Sequence, residues 1–106
     1  MGYRFMRILL FFDLPVVTDI EKKAYRKFVK LLKKDGFYML QESVYVKLAM
    51  DEQVVKSTKN KINSIIPNKG SVMILTITEK QFSSIEFMLG SNNTDIINNT
   101  ERVVVL

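Results

Sequence analysis

The apolar positions of the chain follow two different periods, and the change from one to the other marks the predicted elements. Ile8 to Phe12 are consecutive apolar residues, a pattern typical of a strand that is buried on both faces. We therefore predict a first strand from Tyr3 to Phe12. Pro15 has no backbone N–H to donate to a sheet, so the strand has to end before it. Asp13 thus stands directly at the end of the most hydrophobic strand.

The next segment has helical periodicity from about Asp19 to Lys34. Thr18 and Glu21 match a capping box at its start, and Gly36 fits a left-handed cap at its end. At about 100° per residue, the apolar side chains fall on one half of the helix and are expected to face the core. This apolar half consists of Ile20, Ala24, Tyr25, Phe28, Val29, Leu31 and Leu32. The opposite half, which we call the basic stripe, consists of Lys22, Lys23, Arg26, Lys27, Lys30, Lys33 and Lys34.

The middle of the chain repeats the alternation of strand and helix. Phe37–Leu48 is a strand region long enough to need a bend or an internal turn, whose position the pattern leaves open. Asp51 can cap a second helix over Glu52–Ile66. Pro67–Gly70 is typical of a turn, and Ser71–Thr78 is rich in β-branched residues and is predicted to be a strand.

The last part of the chain is less regular. Thr78–Gln81 fits the start of a short helix, whereas Ile85–Leu89 is compatible with either a helix or a strand. Gly90–Thr100 is polar and rich in asparagine, which predicts a loop. Arg102–Leu106 is predicted to be a final strand.

The order strand, helix, strand, strand, helix, strand predicts an α+β fold, a ferredoxin-like βαββαβ sandwich with an extra C-terminal strand. Residues 1–90 would form the ferredoxin-like domain. Two amphipathic helices can cover one face of its sheet, and the chain has no further element for the apolar residues of the other face. We therefore expect a symmetric homodimer in which two sheets pack together. Residues 91–106 would be a polar loop and a strand that docks on the partner protomer.

The composition narrows the chemistry that is available. The chain of 106 residues has no cysteine and no histidine, which excludes disulfides, thiolate metal sites and a histidine general base. Chemistry would depend on carboxylates, hydroxyls and a hard cation. The absence of cysteine fits a reducing cytosol, so we expect a cytoplasmic protein. No segment approaches the roughly 20 apolar residues of a membrane span. The net charge of +5 favours an anionic partner, with nucleic acid preferred over a membrane.

Asp13 is the candidate metal ligand and catalytic group. One carboxylate is a poor magnesium site, but two copies of Asp13 brought together by twofold symmetry would suffice with water and substrate phosphates. Ser43 is a second candidate, because its hydroxyl could orient a water or a phosphate. Structural alternatives remain open for both residues. Asp13 could cap the following loop through Asx-type hydrogen bonds, and Ser43 could satisfy backbone groups at a strand bend.

The basic stripe is the candidate nucleic-acid surface. A row of lysine and arginine without exposed aromatic residues suits contacts to a duplex backbone better than recognition of bases. Arg4 and Arg7, on the first strand, are alternative phosphate contacts. The alternative interpretation is a solvated helix face that keeps a small protein soluble.

Five motifs occur in a characteristic order. They are the apolar run that ends in Asp13-Leu14-Pro15, Ala24-Tyr-Arg-Lys-Phe28, Gly36 followed by Gln41-x-Ser43-Val44-Tyr45, Thr76-Ile-Thr-Glu-Lys-Gln-Phe82, and the terminal hydrophobic strand. In this order they resemble the second CRISPR-associated protein family, small adaptation proteins described as endoribonucleases. The fourth motif and the Tyr-Arg-Lys-Phe helix are similar to its type II members. Some members carry an arginine shortly before the Gln-x-Ser-Val motif, where this chain has Phe37-Tyr-Met-Leu40.

The resemblance implies a ferredoxin-like homodimer in which Asp13 lies near its symmetry mate and helps to bind Mg²⁺, or alternatively Mn²⁺. It implies spacer acquisition with a CRISPR integrase, whose dimers the protein bridges, and with the duplex DNA of the protospacer. It also implies metal-dependent cleavage of RNA or DNA. Three hypotheses follow: an adaptation scaffold, an endonuclease that uses paired Asp13, and a ferredoxin-like RNA-binding or toxin-like ribonuclease module unrelated to adaptation.

Overall fold

The computed structural model describes residues 5–90. In chain order its elements are β1 (Met6–Asp13), α1 (Asp19–Lys34), β2 (Tyr38–Gln41), β3 (Val44–Ala49), α2 (Glu52–Ile65), β4 (Ser71–Thr78) and α3 (Glu79–Ser83). This order confirms the predicted α+β, ferredoxin-like architecture. The predicted C-terminal strand and its docking on a partner lie outside the described residues, as does Arg4. Within residues 5–90, no helix is long and apolar enough to cross a membrane.

The four strands form one antiparallel sheet in the order β2-β3-β1-β4. β1 is therefore an inner strand that pairs with β3 on one side and with β4 on the other. The region predicted as one long strand divides at Glu42 and Ser43, and the pairing of β2 with β3 shifts register between Met39 and Gln41. The short, irregular β2 is an edge strand of this sheet, where such irregularities are common.

Side-chain caps fix the start of the helices as predicted. The Thr18 hydroxyl accepts a hydrogen bond from the Glu21 N–H at 3.1 Å, and the Glu21 carboxylate accepts from the Thr18 N–H at 3.0 Å. The backbone hydrogen bond from Thr18 lowers the pKa of the Glu21 carboxyl. Thr78 and Gln81 repeat this capping box at the start of α3. Such caps satisfy N–H groups that have no partner within the helix.

The main core lies between the sheet and the two long helices. Ile8, Leu10 and Phe12 of β1 point to this side and pack against Phe28 and Leu32 of α1, among other buried residues. The prediction that Ile20 belongs to the core is wrong, because its side chain is 81% exposed. The reason is local. Ile20, in the first turn of α1, borders an open, mostly apolar groove of about 400 Å³ that Pro67, Asn68 and Lys69 line from the α2–β4 turn.

The opposite side of the sheet, which we call the open face, carries a second, smaller apolar cluster. Leu9 and Val46 are buried there, and Phe82 and Phe87 pack over them. The expectation that nothing in the chain covers this face is therefore wrong for this part of the sheet. The cover comes from α3 and from the Ile85–Leu89 segment, which is neither helix nor strand. Over β4 the face remains open, with Met73 62% and Leu75 51% exposed.

A group of charged residues ties the helix layer to the sheet. The Lys47 ammonium donates to Asp35 at 3.0 Å and to the buried Thr58 hydroxyl at 3.0 Å, and Lys61 donates to Asp35 at 2.9 Å. Burial of Asp35 opposes its charged form, but the hydrogen bonds from Lys61 and Lys47 outweigh it and hold the pKa of this carboxyl below its ordinary value. The ion pairs join the end of α1, β3 and α2 at one point.

This group predicts an acid-dependent loss of stability. Asp35→Asn should lower the free energy of unfolding at neutral pH by about 1–3 kcal/mol, because Lys47 loses its charged acceptor in a partly buried position. The folded carboxyl has a lowered pKa, so its contribution is complete above the pKa of the unfolded state, about 3.9, and is lost as the pH falls further. The deficit of the variant should therefore shrink below about pH 4.

Urea unfolding of wild type and variant at a fixed protein concentration, measured across this pH range, checks the expectation. Glu86→Gln is the matched control, since it removes an exposed carboxylate elsewhere and should leave stability nearly unchanged. A deficit that stays constant with pH would contradict the assignment of the effect to the charge of Asp35.

Candidate functional site

Asp13 is the last residue of β1 and lies on the open face. Side chains alternate along a strand, and Ile8, Leu10 and Phe12 face the helices, so Asp13 shares the face of Leu9. Its side chain is exposed. Among residues 5–90, no side chain donates a hydrogen bond or an ion pair to its carboxylate. The acid is thus not occupied by a partner within the described part of the chain.

A backbone hydrogen bond places Ser43 beside the end of β1. The Phe12 N–H donates to the Ser43 carbonyl at 3.1 Å, which joins the β2–β3 turn to the residue before Asp13. Ser43 has φ 65°, and it is the only residue other than glycine with positive φ among those described. A serine in this conformation costs about 1–3 kcal/mol and is often found where a loop has a functional role. The structure therefore brings the two candidate catalytic residues to the same end of the sheet.

The third component of the site, the α2–β4 turn, was not among the predicted site residues. Ser71 is the direct partner of Asp13 in the pairing of β1 with β4. Gly70 has φ +99°, and a Cβ atom at this position would lie 2.5 Å from the Asp13 carbonyl oxygen. The turn thus touches the backbone of Asp13 directly. The sequence pattern predicts both the turn and the strand after it, but it does not indicate that this strand pairs with β1 beside Asp13.

Arg7, predicted as a phosphate contact, has partners within the chain. Its guanidinium donates to the Glu79 carboxylate at 2.7, 2.7 and 3.1 Å and to the Tyr38 hydroxyl at 2.8 Å, and it lies 4.5 Å from the centre of the Phe82 ring. The hydrogen bond to Glu79 raises the pKa of Arg7. This arrangement holds α3 on the open face and leaves fewer donors for a phosphate.

The basic stripe occupies the other layer of the molecule. Its seven side chains, from Lys22 to Lys34, are all exposed along α1, while the helix packs on the sheet through Phe28 and Leu32. Asp13 points to the opposite face. Within one chain the sheet therefore separates the stripe from the acid.

The side chains at the end of β1 offer the type of ligand atom that a hard cation prefers, but too few of them to hold the cation alone. Asp13, Ser43 and Ser71 offer only oxygen donors, the type that Mg²⁺ and Mn²⁺ prefer. The described residues contain no group of three or more acidic, histidine or cysteine side chains that could hold a metal ion. One carboxylate can take part in a magnesium site when water and substrate phosphates complete it, and a second copy of the chain would add a second carboxylate.

Comparison with known proteins identifies the family. The family model described as "CRISPR associated protein Cas2" matches residues 6–85. The chain belongs to the Cas2 family. The match includes Asp13, Ser43, Ser71 and the whole basic stripe. Membership of this family favours the CRISPR-associated hypotheses over an unrelated RNA-binding module.

Curated relatives align along nearly the whole chain. The protein named "CRISPR-associated endoribonuclease Cas2" from Ligilactobacillus salivarius is 43% identical over 101 residues, which cover 95% of this chain and 100% of the relative. The protein of the same name from Treponema denticola is 44% identical over 106 residues, covering 95% and 100%. A solved structure described as "Crystal structure of cas2" superimposes with a TM-score of 0.62 at 18% identity, covering 94% of this chain and 99% of the other. This structure supports the fold assignment.

The close contact at Gly70 predicts an unusually costly substitution. Gly70→Ala should lower stability through the positive φ and also through the overlap of the new Cβ with the Asp13 carbonyl. Gly36→Ala is the matched control, because Gly36 has φ +101° but its Cβ would come no closer than 3.6 Å to Lys47. We expect a loss of about 1–3 kcal/mol for the control and a larger loss for Gly70→Ala.

Urea unfolding of the two variants measures the difference. Equal losses would mean that the backbone at Asp13 yields to the added methyl group, and the proposed rigid contact between the turn and the acid-bearing strand would then be incorrect.

Proposed function

We propose that this Cas2-family chain is a metal-dependent endoribonuclease that acts as a homodimer through Asp13. The observation that carries the proposal is the exposed carboxylate at the end of an inner strand, which has no partner among the described residues. Two serines flank it, Ser43 in the β2–β3 turn and Ser71 at the start of β4. An acid held in this way for structural reasons alone would be expected to accept hydrogen bonds from the following loop. The name of the aligned relatives, CRISPR-associated endoribonuclease, supports the same activity.

The exposed part of the open face supports the dimer. Met73 and Leu75 lie on β4 directly opposite Phe11 and Leu9 of β1, and both are more than half exposed. Apolar side chains in such a row are typical of a surface that binds another protein. A twofold axis near this row would bury it against its own copy and bring the two Asp13 residues toward each other.

The residues at the end of β1 would have separate roles in phosphodiester cleavage. Asp13 would hold Mg²⁺ or Mn²⁺, which when bound supplies positive charge for the phosphate and makes a water more acidic. Ser43 would orient the water or the phosphate from the neighbouring turn. The chain has no histidine, so proton transfer would rely on carboxylate and solvent. In the dimer, the second Asp13 would supply the second carboxylate.

Asp13→Asn tests this proposal. We expect the rate of metal-dependent RNA cleavage to fall by about 100-fold or more, because the neutral amide cannot replace the charge of the carboxylate toward a divalent cation. End-labelled single-stranded RNA is incubated with excess protein in Mn²⁺, in Mg²⁺ and in EDTA, and the product is measured over time.

The matched control is Asp19→Asn, the same substitution at an exposed residue in the first turn of α1. It should cleave at nearly the wild-type rate. Sedimentation of each protein verifies that the association state is unchanged. Cleavage by Asp13→Asn at the wild-type rate would rule out the carboxylate mechanism.

The basic stripe favours a second role, as an adaptation subunit in the cytoplasm that binds protospacer duplex DNA and bridges dimers of the CRISPR integrase. Seven exposed cations on one helix face create a positive surface suited to a nucleic-acid backbone. The stripe lies on the layer opposite Asp13, so a dimer formed through the open face would leave it accessible on both outer sides. Duplex binding and cleavage would then depend on separate surfaces of the same protein.

The separation can be tested by charge reversal. Lys23→Glu with Lys27→Glu should weaken duplex binding and make its dependence on salt shallower by about two units of logarithmic slope if both lysines contact phosphates. RNA cleavage should change little. Fluorescence anisotropy of a labelled duplex over a salt series measures the effect.

Lys56→Glu with Lys59→Glu is the matched control, since it changes the net charge equally on the exposed side of α2. Equal losses in the two double variants would show a general effect of net charge and would remove α1 as a specific DNA surface.

A further inference from the structure

Ser71 lies opposite Asp13 in the sheet, and nothing within the described residues explains its hydroxyl. We propose that Ser71 is a substrate-binding residue of this site, whose hydroxyl donates a hydrogen bond to a phosphate oxygen of the nucleic acid held at Asp13. The inference rests on the proposed function and extends it by adding a residue that contacts the substrate.

The pairing of β1 with β4 sets the relative position of the two side chains. Asp13 and Ser71 are direct cross-strand partners, so their side chains emerge on the same face with Cβ atoms about 4.5–5.5 Å apart. Both residues are exposed. In the part of the chain that the structure describes, the Ser71 hydroxyl has no hydrogen-bond partner. It is therefore available to a ligand that approaches Asp13 from the open face.

The backbone around this pair is fixed from two sides. Gly70, the residue before Ser71, lies against the Asp13 carbonyl so closely that it leaves no room for a Cβ atom. On the other side of β1, the Phe12 N–H is hydrogen-bonded to Ser43. Groups held on paired strands keep their geometry better than groups on free loops, which lowers the cost of ordering them around a substrate.

The chemistry of the strand favours a phosphate contact at this position. The other residues of β4 on the open face are Met73, Leu75 and Ile77, all of them apolar, so Ser71 carries the only hydroxyl that β4 places on this face. A carboxylate repels a phosphate unless a cation lies between them. A serine hydroxyl can donate to a phosphate oxygen without adding charge, and so it can hold the phosphate beside the carboxylate without competing for the cation.

The test uses binding as well as cleavage. Ser71→Ala should raise the KM for RNA by about 3- to 10-fold, the size expected for the net contribution of one typical hydrogen bond at an exposed site. The Mn²⁺ concentration that gives half-maximal activity should stay unchanged. Ser71→Thr keeps the hydroxyl in a residue that suits a strand and should restore most of the affinity.

An arm without cleavage separates this inference from the proposed mechanism. In the Asp13→Asn background, anisotropy of labelled RNA should show binding about 3- to 10-fold weaker when Ser71→Ala is added. Ser57→Ala in the same background is the control, because Ser57 lies on α2 in the helix layer and should leave RNA affinity unchanged.

The outcomes are distinct. RNA binding unchanged by Ser71→Ala, or weakened equally by Ser71→Thr, overturns the role of the hydroxyl while leaving Asp13 as the reacting group. Cleavage by Asp13→Asn at the wild-type rate overturns the proposed mechanism, and the binding arm then decides the role of Ser71 by itself. Urea unfolding of each variant verifies that the altered proteins are folded.

Discussion

The antiparallel pairing of β1 with two neighbours is the constraint on which the candidate site depends. β1 carries two sets of apolar side chains, one that packs under the helices and one in the smaller cluster of the open face. A shift of one residue would exchange the two sets, so core packing on both faces fixes the register strongly. The position of Asp13 on the open face is thus a consequence of packing at Leu10 and Leu9, and needs no interaction of its own.

The same sheet separates two kinds of charge. The exposed lysines and arginine of α1 lie on the helix layer, whereas the acid at the end of β1 faces the other way. Arg7 is the cation of the open face within the described residues of β1, and Glu79 and Tyr38 hold it in place over Phe82. Without Glu79, the guanidinium of Arg7 would have more donors available for a phosphate. With Glu79 in place, the guanidinium holds α3 over one half of the open face. The half that stays exposed is the one formed by β4.

Local features of the fold could be predicted from sequence, and long-range ones could not. The capping box at Thr18, the short helix that starts after Thr78 and the bounds of β4 depend on neighbouring residues, and the structure confirms them. The exposure of Ile20 depends on the position of α1 in the fold. Helical periodicity predicts which side of a helix is apolar, but it does not predict that position. For the candidate site, the position of an acid directly after an apolar strand, together with the family resemblance, made Asp13 a candidate. Ser71 could not be selected, because its relation to Asp13 exists only once β4 pairs with β1.

In the proposed dimer, the exposure of Asp13 would link association to cation binding. In a single chain the carboxylate is solvated, so its charge costs the fold little. Bringing two such carboxylates together across a twofold axis would desolvate both and add repulsion, which raises the free energy of the dimer. A cation between them offsets both terms, and coupling of this kind is reciprocal: what makes the dimer easier to form also makes the cation easier to bind. In the proposed dimer, a single acid per chain would therefore suffice for a site that forms only in the assembly, and the apolar row of β4 would supply the attraction between the two copies.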